Sequence, residues 1–429
     1  MRRSHVVSEN TPVHHVAAVG AGPANLSLAA LYQAAAGERS MVLFDRQAGP
    51  SWHAPLLHPG VDMQTSWLKD LVTVVDPTHP LSFLNYLVTS GRFYALNNSQ
   101  FGSLPRREYQ RYLAWAADRI ENLHYGVGID EISLTGDGFR LSAGGVPQAL
   151  SEHVVVGVGT RPAMPARLSG LPAERVFVAE ELVRRLPAMA ADRSVPVAVL
   201  GGGQTGCEAV LRLIGEGFTD VRWIGRGQWF KTIDDSPIAN EFYRPEHQRF
   251  LQGLTLSTRD RLIREHRHTG DALTPGGMRA VYQANYHALL ETGSFAAHIL
   301  VGHDVVGASA EDDGIVLRCD TSEHHTEMPV AYAVVAMGRE RAPIPFDDEL
   351  RERVDFDDAG EVIVESDYSI RWKGSNGHRI YALNRARYSH GVPDANLTLL
   401  PIRSALVVNS ILEREAYPLQ ENLCAVTWG

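Results

Sequence analysis

The residues best suited to chemistry in this 429-residue chain are two glycine clusters and the charges that follow them. Gly20-Ala21-Gly22-Pro23-Ala24-Asn25 follows a short apolar run, opens a helical pattern, and precedes a second strand, "MVLFDR", that carries Asp45. Gly201-Gly202-Gly203-Gln204-Thr205-Gly206 repeats the arrangement, but its second strand, "DVRWIGRG", leads to Arg226. Strand, glycine turn, helix and strand in that order is the setting a dinucleotide fingerprint requires. The glycines permit a tight turn and close approach of backbone to pyrophosphate, and free N–H groups at the helix start bind the anion. Asn25 stands where a third glycine usually allows close helix packing. A carboxylate at the end of the second strand accepts hydrogen bonds from a ribose, whereas a guanidinium there binds a 2′-phosphate through two parallel hydrogen bonds. Arg226 thus points to NADP at the second cluster, although its residue type equally suits a solvated strand end. Two nucleotide sites in one chain suggest a flavin with a reduced nicotinamide, because a single-cofactor dehydrogenase needs only one. The chain has no CxxC motif, which argues against a disulfide reductase. A further oddity is Lys69, inside "DMQTSWLKDLV": lysine occurs only three times, at Lys69, Lys231 and Lys373.

The elements that must carry these residues follow from composition and periodicity. At 44% hydrophobic and 21% charged residues the chain is ordinary for a globular protein, and its length allows two or three domains. A net charge of −10 without any Lys/Arg cluster argues against a nucleic-acid surface. Cys207, Cys319 and Cys424 are odd in number and far apart, neither a disulfide framework nor a metal spacing. A reducing, cytoplasmic setting is expected. "MRRSHVVSENTPVHH" reads as a leader without the apolar run of a signal peptide, and no apolar stretch approaches membrane-spanning length. The helix "REYQRYLAWAADRI" has apolar residues at helical spacing and reads as scaffold. A glycine-bearing strand exit, "EHVVVGVGTRPAMP", recurs late as "VAYAVVAMGRERAP". The expected fold is α/β: two Rossmann-like dinucleotide-binding domains, for FAD and NADPH, with a smaller, mostly helical substrate-binding region. Residues 1–165 form the first part of the FAD domain, 190–335 the NADPH domain with a helical insertion at about 230–300, and 336–429 complete the FAD domain.

Together, "GAGPANLSLA", "SWH" at 51–53, "MQTSWLKDLV", "DPTHPLSFLNYL", "GGGQTG", "DDSPIANEF" and "SHGVPDANLTLLPIRSA" carry a resemblance. The chain resembles the N-hydroxylating flavin monooxygenases of siderophore and related pathways, the lysine and ornithine N-monooxygenases, from about residue 14 to 415. The resemblance implies that NADPH reduces FAD, oxygen adds at the flavin C4a position, and the hydroperoxide passes its distal oxygen to a primary amine. That amine must be neutral, whereas a free lysine ε-amine has a pKa of about 10.4, which a partly desolvated pocket would lower. No residue is assigned as general acid or base. By position, Gly20, Gly22, Pro23, Asn25, Asp45, Arg46, Trp52, His53, Gln64 and Ile129 would line FAD, and Asn396 and Leu397 would approach it from the C-terminal side. Gly203, Gln204, Thr205 and Arg226 would hold NADP. Lys69 and Asn240 would take the substrate's α-carboxylate and α-amino end, and Thr398 would face the substrate through its hydroxyl. On residue type alone, Trp52 suits a core, Gln64 a strand edge, Lys69 a snorkelling surface position and Asn240 a turn cap.

"DDSPIANEF" is similar to the ornithine hydroxylases, but the Asn-x-Asn-Tyr-Ser stretch of those enzymes is absent. "TGDALT" and "SHGVPDANLTL" resemble the lysine hydroxylases instead. L-lysine is therefore the expected substrate, L-ornithine the second choice, and a diamine such as cadaverine or putrescine the third. One methylene is worth only ~1–3 kcal/mol in a pocket. Two departures stand out: Met337 and Arg339 in the late glycine turn, where the family has threonine and tyrosine, and Trp67 where phenylalanine is commoner. Relatives imply a homo-oligomer, a tetramer. A flavin oxygenase for another acceptor would share both fingerprints but lack the Lys69 and Asn240 blocks, and a non-catalytic nucleotide binder would fit the altered turn.

Overall fold

The computed structural model describes residues 11–53, 56–57, 61–63 and 68–429. Strand β1 (Val13–Val19) lies between β2 (Met41–Asp45) and a later strand, Val146–Val156, parallel to both, with Leu123–Tyr125 outside β2. Buried on both faces, these strands read as apolar runs without alternation, as parallel central strands do. Strands Glu131–Thr135 and Gly138–Ala143 add an antiparallel edge. From far along the chain, Ile380–Ala382 pairs with the end of Val146–Val156. The last helix, Leu400–Leu412, packs on the first, Pro23–Ala35, and the Ser404 hydroxyl donates to Ser27 Oγ at 2.9 Å.

The second sheet is parallel throughout, in the order Ala297–Val301, Val221–Gly225, Val197–Leu200, Tyr332–Val335, Val176–Val178. Its edge strand Val176–Val178 lies between the expected domain ranges, in a stretch too short and loop-rich to stand out by periodicity. A three-stranded antiparallel sheet over Asp304–Val330 packs on one side. The expected helical stretch holds Pro237–Asn240, Pro245–Gln252, Leu256–Glu265 and Pro275–Thr292.

Chain crosses between the two sheets at Thr160–Pro162 and Arg339–Arg341, and the two crossings pair as an antiparallel ribbon. These are the recurring glycine-bearing exits: each follows a central strand, and each must turn away from its sheet. The glycine loops are sterically closed from behind. Gly20 (φ +97°) and Gly201 (φ +126°) turn in the left-handed region, where any Cβ would meet the Gly157 and Ala336 carbonyls respectively. No helix among the described residues is long and apolar enough to cross a membrane.

Candidate functional site

At the first loop, Gly22 is the N-cap of helix Pro23–Ala35, makes no side-chain cap bond, and faces open space. Pro23 takes the first helical position, where its missing N–H costs nothing. Asp45 Oδ2 accepts the Ala21 N–H at 2.6 Å and Oδ1 the Gln47 N–H at 2.8 Å, which holds the loop against the end of β2 while lone pairs remain for a ribose. Val127 N–H donates to the Asp45 carbonyl, and a Cβ on Gly128 would meet Arg46 Cβ, so Asp45, Arg46 and Ile129 share one sheet edge. Asn25 is buried beneath this edge. Its Nδ2 donates to the Val19 and Gly20 carbonyls, and Gly157 leaves the room its side chain needs. Asn25 therefore braces the loop from below, where a third glycine would only have left space.

The second loop has the same open helix start. Gly203 caps Gln204–Gly215 without a side-chain bond and faces open space, while Gly206 lets the helix rest on the Gly201 carbonyl and Trp223. Uncapped N–H groups facing open space fit a pyrophosphate at each loop. Gln204, however, is engaged within the protein: Nε2 donates to Glu208 Oε1 at 3.0 Å, and Oε1 accepts the Thr274 N–H at 2.8 Å. Thr205 lines a small cleft with Leu56 and Leu182. Arg226 is exposed just beyond the end of its strand.

Trp52 and His53 are fastened to helix Arg106–Ala117. The Trp52 N–H donates to Gln110 Oε1 at 2.7 Å, and the indole packs edge-on against Tyr109 and His53. Burial, then the Arg106 and Arg339 guanidiniums, lowers His53 to about 4, so its ring is neutral near pH 7. Gln64 and Trp67 lie outside the described residues.

Lys69 is half-buried, and burial lowers its pKa. It forms no ion pair with a carboxylate among the described residues. The following residue holds its loop. Asp70, 2% exposed, accepts the N–H groups of Val72 (3.0 Å), Thr73 (2.7 Å) and Phe83 (2.6 Å) and the Thr73 hydroxyl (2.6 Å). Leu71 is held from both sides, its carbonyl by the Ser27 hydroxyl and its N–H by Tyr112. Asp70→Ala strands several donors, each costing about 1–3 kcal/mol. A fall in melting temperature and a raised amino-acid KM are the expected outcomes, measured by thermal scanning and steady-state kinetics.

Asn240 ends its short helix, exposed, with Nδ2 donating to the Asp235 and Ser236 carbonyls at 3.1 Å each, which leaves Oδ1 to accept from an ammonium. The adjoining turn Glu241–Tyr243 packs on Val392–Ala395, which leads into the Thr398 turn. There Asn396 Oδ1 accepts both the Thr398 N–H (2.9 Å) and its hydroxyl (2.7 Å). The Thr398 hydroxyl therefore turns inward as a donor and offers only lone pairs outward. Leu397 packs on the core of the first sheet. No hydrogen bond joins Lys69 to Asn240 or Thr398 among the described residues, and the three stand on separate elements.

Four desolvated histidines share one electrostatic property. Desolvation holds His53, His247 and His390 at about 4 and His153 at about 3, below the ordinary 6.5. The unfolded chain takes up protons below pH 6.5 that the folded chain refuses until about pH 4. The stability these groups contribute is full above 6.5 and is lost as pH falls toward 4. The melting temperature is accordingly expected to drop across that window, read by thermal scans at stepped pH.

His15, Glu152 and His153 form the one group with metal-ligand spacing among the described residues. His153 Nδ1 accepts the Arg379 N–H at 3.1 Å, which places the ring hydrogen of the neutral form on Nε2, facing Glu152. With its one lone pair taken by the Arg379 N–H, this ring faces Glu152 as a donor rather than a ligand.

Residues 12–339 match the family described as L-lysine 6-monooxygenase/L-ornithine 5-monooxygenase. The chain belongs to this family. It is 28% identical over 422 residues to the L-lysine N6-monooxygenase of Escherichia coli, with 96% of this chain and 97% of that protein covered. Its fold is similar to an ornithine N-hydroxylase from Kutzneria sp. 744, solved with reduced FAD, NADP+ and L-ornithine (TM-score 0.86, 27% identity, 94% and 99% covered). It is also similar in fold to a cadaverine monooxygenase from Erwinia amylovora (TM-score 0.89, 24% identity, 98% and 99% covered).

Within this N-monooxygenase the altered late turn has a structural answer. Arg339 donates to Thr160 Oγ1 (2.8 Å) and its carbonyl (2.9 Å), and pairs with Glu180, so it clamps the crossover ribbon to the second sheet. Met337 packs beside that sheet's core. Residues that sequence reading missed are Asp70, Arg106, Glu208, Asp394 and Arg403. Asp70, Asp394 and Arg403 lie in recognised blocks; Arg106 and Glu208 take their meaning from each other, 102 residues apart.

Proposed function

We propose that this flavin N-monooxygenase hydroxylates the side-chain amine of L-lysine, giving N6-hydroxylysine, with FAD and NADPH as cofactors and O2 as oxidant. One observation carries the choice of an amino acid over a diamine. Lys69 is a half-buried ammonium without a carboxylate partner among the described residues, on a loop that Asp70 holds rigid. A buried cation is costly until paired, and a substrate α-carboxylate would pair it. Asn240 Oδ1 complements it by accepting from the α-ammonium. The Thr398 hydroxyl, its hydrogen held by Asn396, accepts an N–H of the reacting amine and leaves the nitrogen lone pair free. When bound, the flavin supplies reduction by NADPH and activation of oxygen; the chain binds, orients and keeps water away.

"TGDALT" favours lysine over ornithine, and its Thr274 supports the nucleotide loop through Gln204. "DDSPIANEF" supports the second reading, L-ornithine. A panel of lysine, ornithine, cadaverine and putrescine, scored by hydroxylamine formed, tests both. Lysine is expected to lead with the diamines far behind; cadaverine turned over as well as lysine overturns the carboxylate reading. In this proposal Arg226 holds the 2′-phosphate. Arg226→Ala is expected to lower kcat/KM for NADPH by about 10- to 100-fold while NADH is unaffected, since hydrogen bonds to charged groups are worth about 1.5–3 kcal/mol. Parallel losses with both nucleotides would remove that role.

A further inference from the structure

Between the two sheets lies a buried ion pair that the proposed chemistry has not used. Glu208, 5% exposed, stands one turn after Gln204 on the helix of the second glycine loop. Arg106, the first residue of helix Arg106–Ala117, grips it with both arms of its guanidinium, Nη2 to Oε1 at 3.0 Å and Nη1 to Oε2 at 3.2 Å. Gln204 adds a third hydrogen bond to the same carboxylate and carries the connection on to the Thr274 N–H. On its other side, the Arg106 backbone N–H donates to the Val61 carbonyl at 3.0 Å, and Met63 N–H donates to Leu104 at 2.7 Å. Residues 61–63 and 104–106 thus form an antiparallel bridge, and in sequence Met63 immediately precedes Gln64 in the block that also carries Lys69. One arginine therefore ties the segment leading to the flavin side to the helix that opens the nicotinamide nucleotide loop.

We propose that the Arg106–Glu208 pair is a positioning device for flavin reduction, with Glu208 setting where the nicotinamide-binding helix stands relative to the flavin-side segment. This rests on the reading that NADPH reduces a bound flavin. In that step a hydride leaves the nicotinamide C4 with both bonding electrons, the ring becomes the oxidised pyridinium, and the flavin takes the hydride and a solvent proton. Hydride transfer is steep in distance: a misplacement of about 1 Å from a remote change costs on the order of a hundredfold. A bidentate, buried fork fixes distance and angle together, which a surface ion pair does not.

The test uses FAD-loaded Glu208→Gln, which keeps the shape but turns a donor toward the guanidinium, and Arg106→Lys, which keeps the charge but loses the fork. Rapid mixing with saturating NADPH is expected to show the limiting rate of flavin reduction lowered about 10- to 100-fold in both. Flavin content, reduction by dithionite, and lysine KM are expected to match the parent. Amide exchange, read independently of activity, is expected to quicken at Met63, Arg106 and Thr274 and to stay unchanged in the core of strand Val146–Val156. Parent-like reduction rates in both variants overturn the proposal. So does loss of rate together with flavin and of core protection, which marks plain structural support. Failure of the underlying reading is visible separately, as a parent protein whose flavin NADPH does not reduce.

Discussion

Lys69→Ala is expected to raise the KM for the amino-acid substrate by about 30- to several-thousand-fold, the effect of removing one partner from a desolvated charge pair worth roughly 2–5 kcal/mol. Flavin reduction by NADPH should survive, because Lys69 lies on a loop fastened to the first helix and is not part of either glycine loop. Slow turnover of cadaverine should be little changed, since a diamine offers Lys69 nothing to hold. The loss therefore falls on substrate affinity and not on the reductive step. Hydroxylamine yield and single-turnover reduction, measured on the same preparation, separate the two. If reduction and hydroxylation fall together, Lys69 works through the fold, by way of the loop that Asp70 holds.

Arg403→Met is expected to destabilise the protein by roughly 3–5 kcal/mol, as removal of one member of a buried ion pair does. Arg403 and Asp394 are each 3% exposed. The guanidinium donates to the Asp394 carbonyl and to Asn384 Oδ1 (2.8 Å), while Asp394 Oδ2 accepts the Ala386 N–H at 2.8 Å. Together they fold the turn that presents Asn396, Leu397 and Thr398. Asp394→Asn leaves the guanidinium unpaired and should cost a similar amount. Thermal melting with the release of flavin fluorescence reads both, and the expected order is flavin release before global unfolding. A variant that melts like the parent and keeps its flavin would show that this pair only decorates the turn.

The glycine loops were legible in the sequence because everything they require is local. A strand, a left-handed glycine, an uncapped helix start and a second strand follow one another within about thirty residues, as a βαβ unit does. The two similar strand exits were legible too, but only as likeness. That they pair with each other as the crossover ribbon, with Arg339 clamped to Glu180, depends on residues 179 and 159 positions apart. Asn25 shows the limit within a motif: the spacing located it, but burial against Gly157 decided that it supports the loop from beneath.

Charged residues were the least legible, because a formal charge in a sequence says nothing about what faces it. Glu208 reads as an ordinary helical glutamate until Arg106 arrives from 102 residues away, and Arg403 as part of an amphipathic helix until Asp394 turns back on it. The sequence by itself determined the family, the two nucleotide folds and the blocks that carry Lys69 and Asn240, since short-range order and residue type are enough for each. Tertiary structure alone decided which charges are desolvated and paired, and which, like Lys69, are held half-buried without a carboxylate partner among the described residues. The physical reason is that the energy of a charge depends on the solvent removed around it and the partner brought to it, and both are set by contacts distant along the chain.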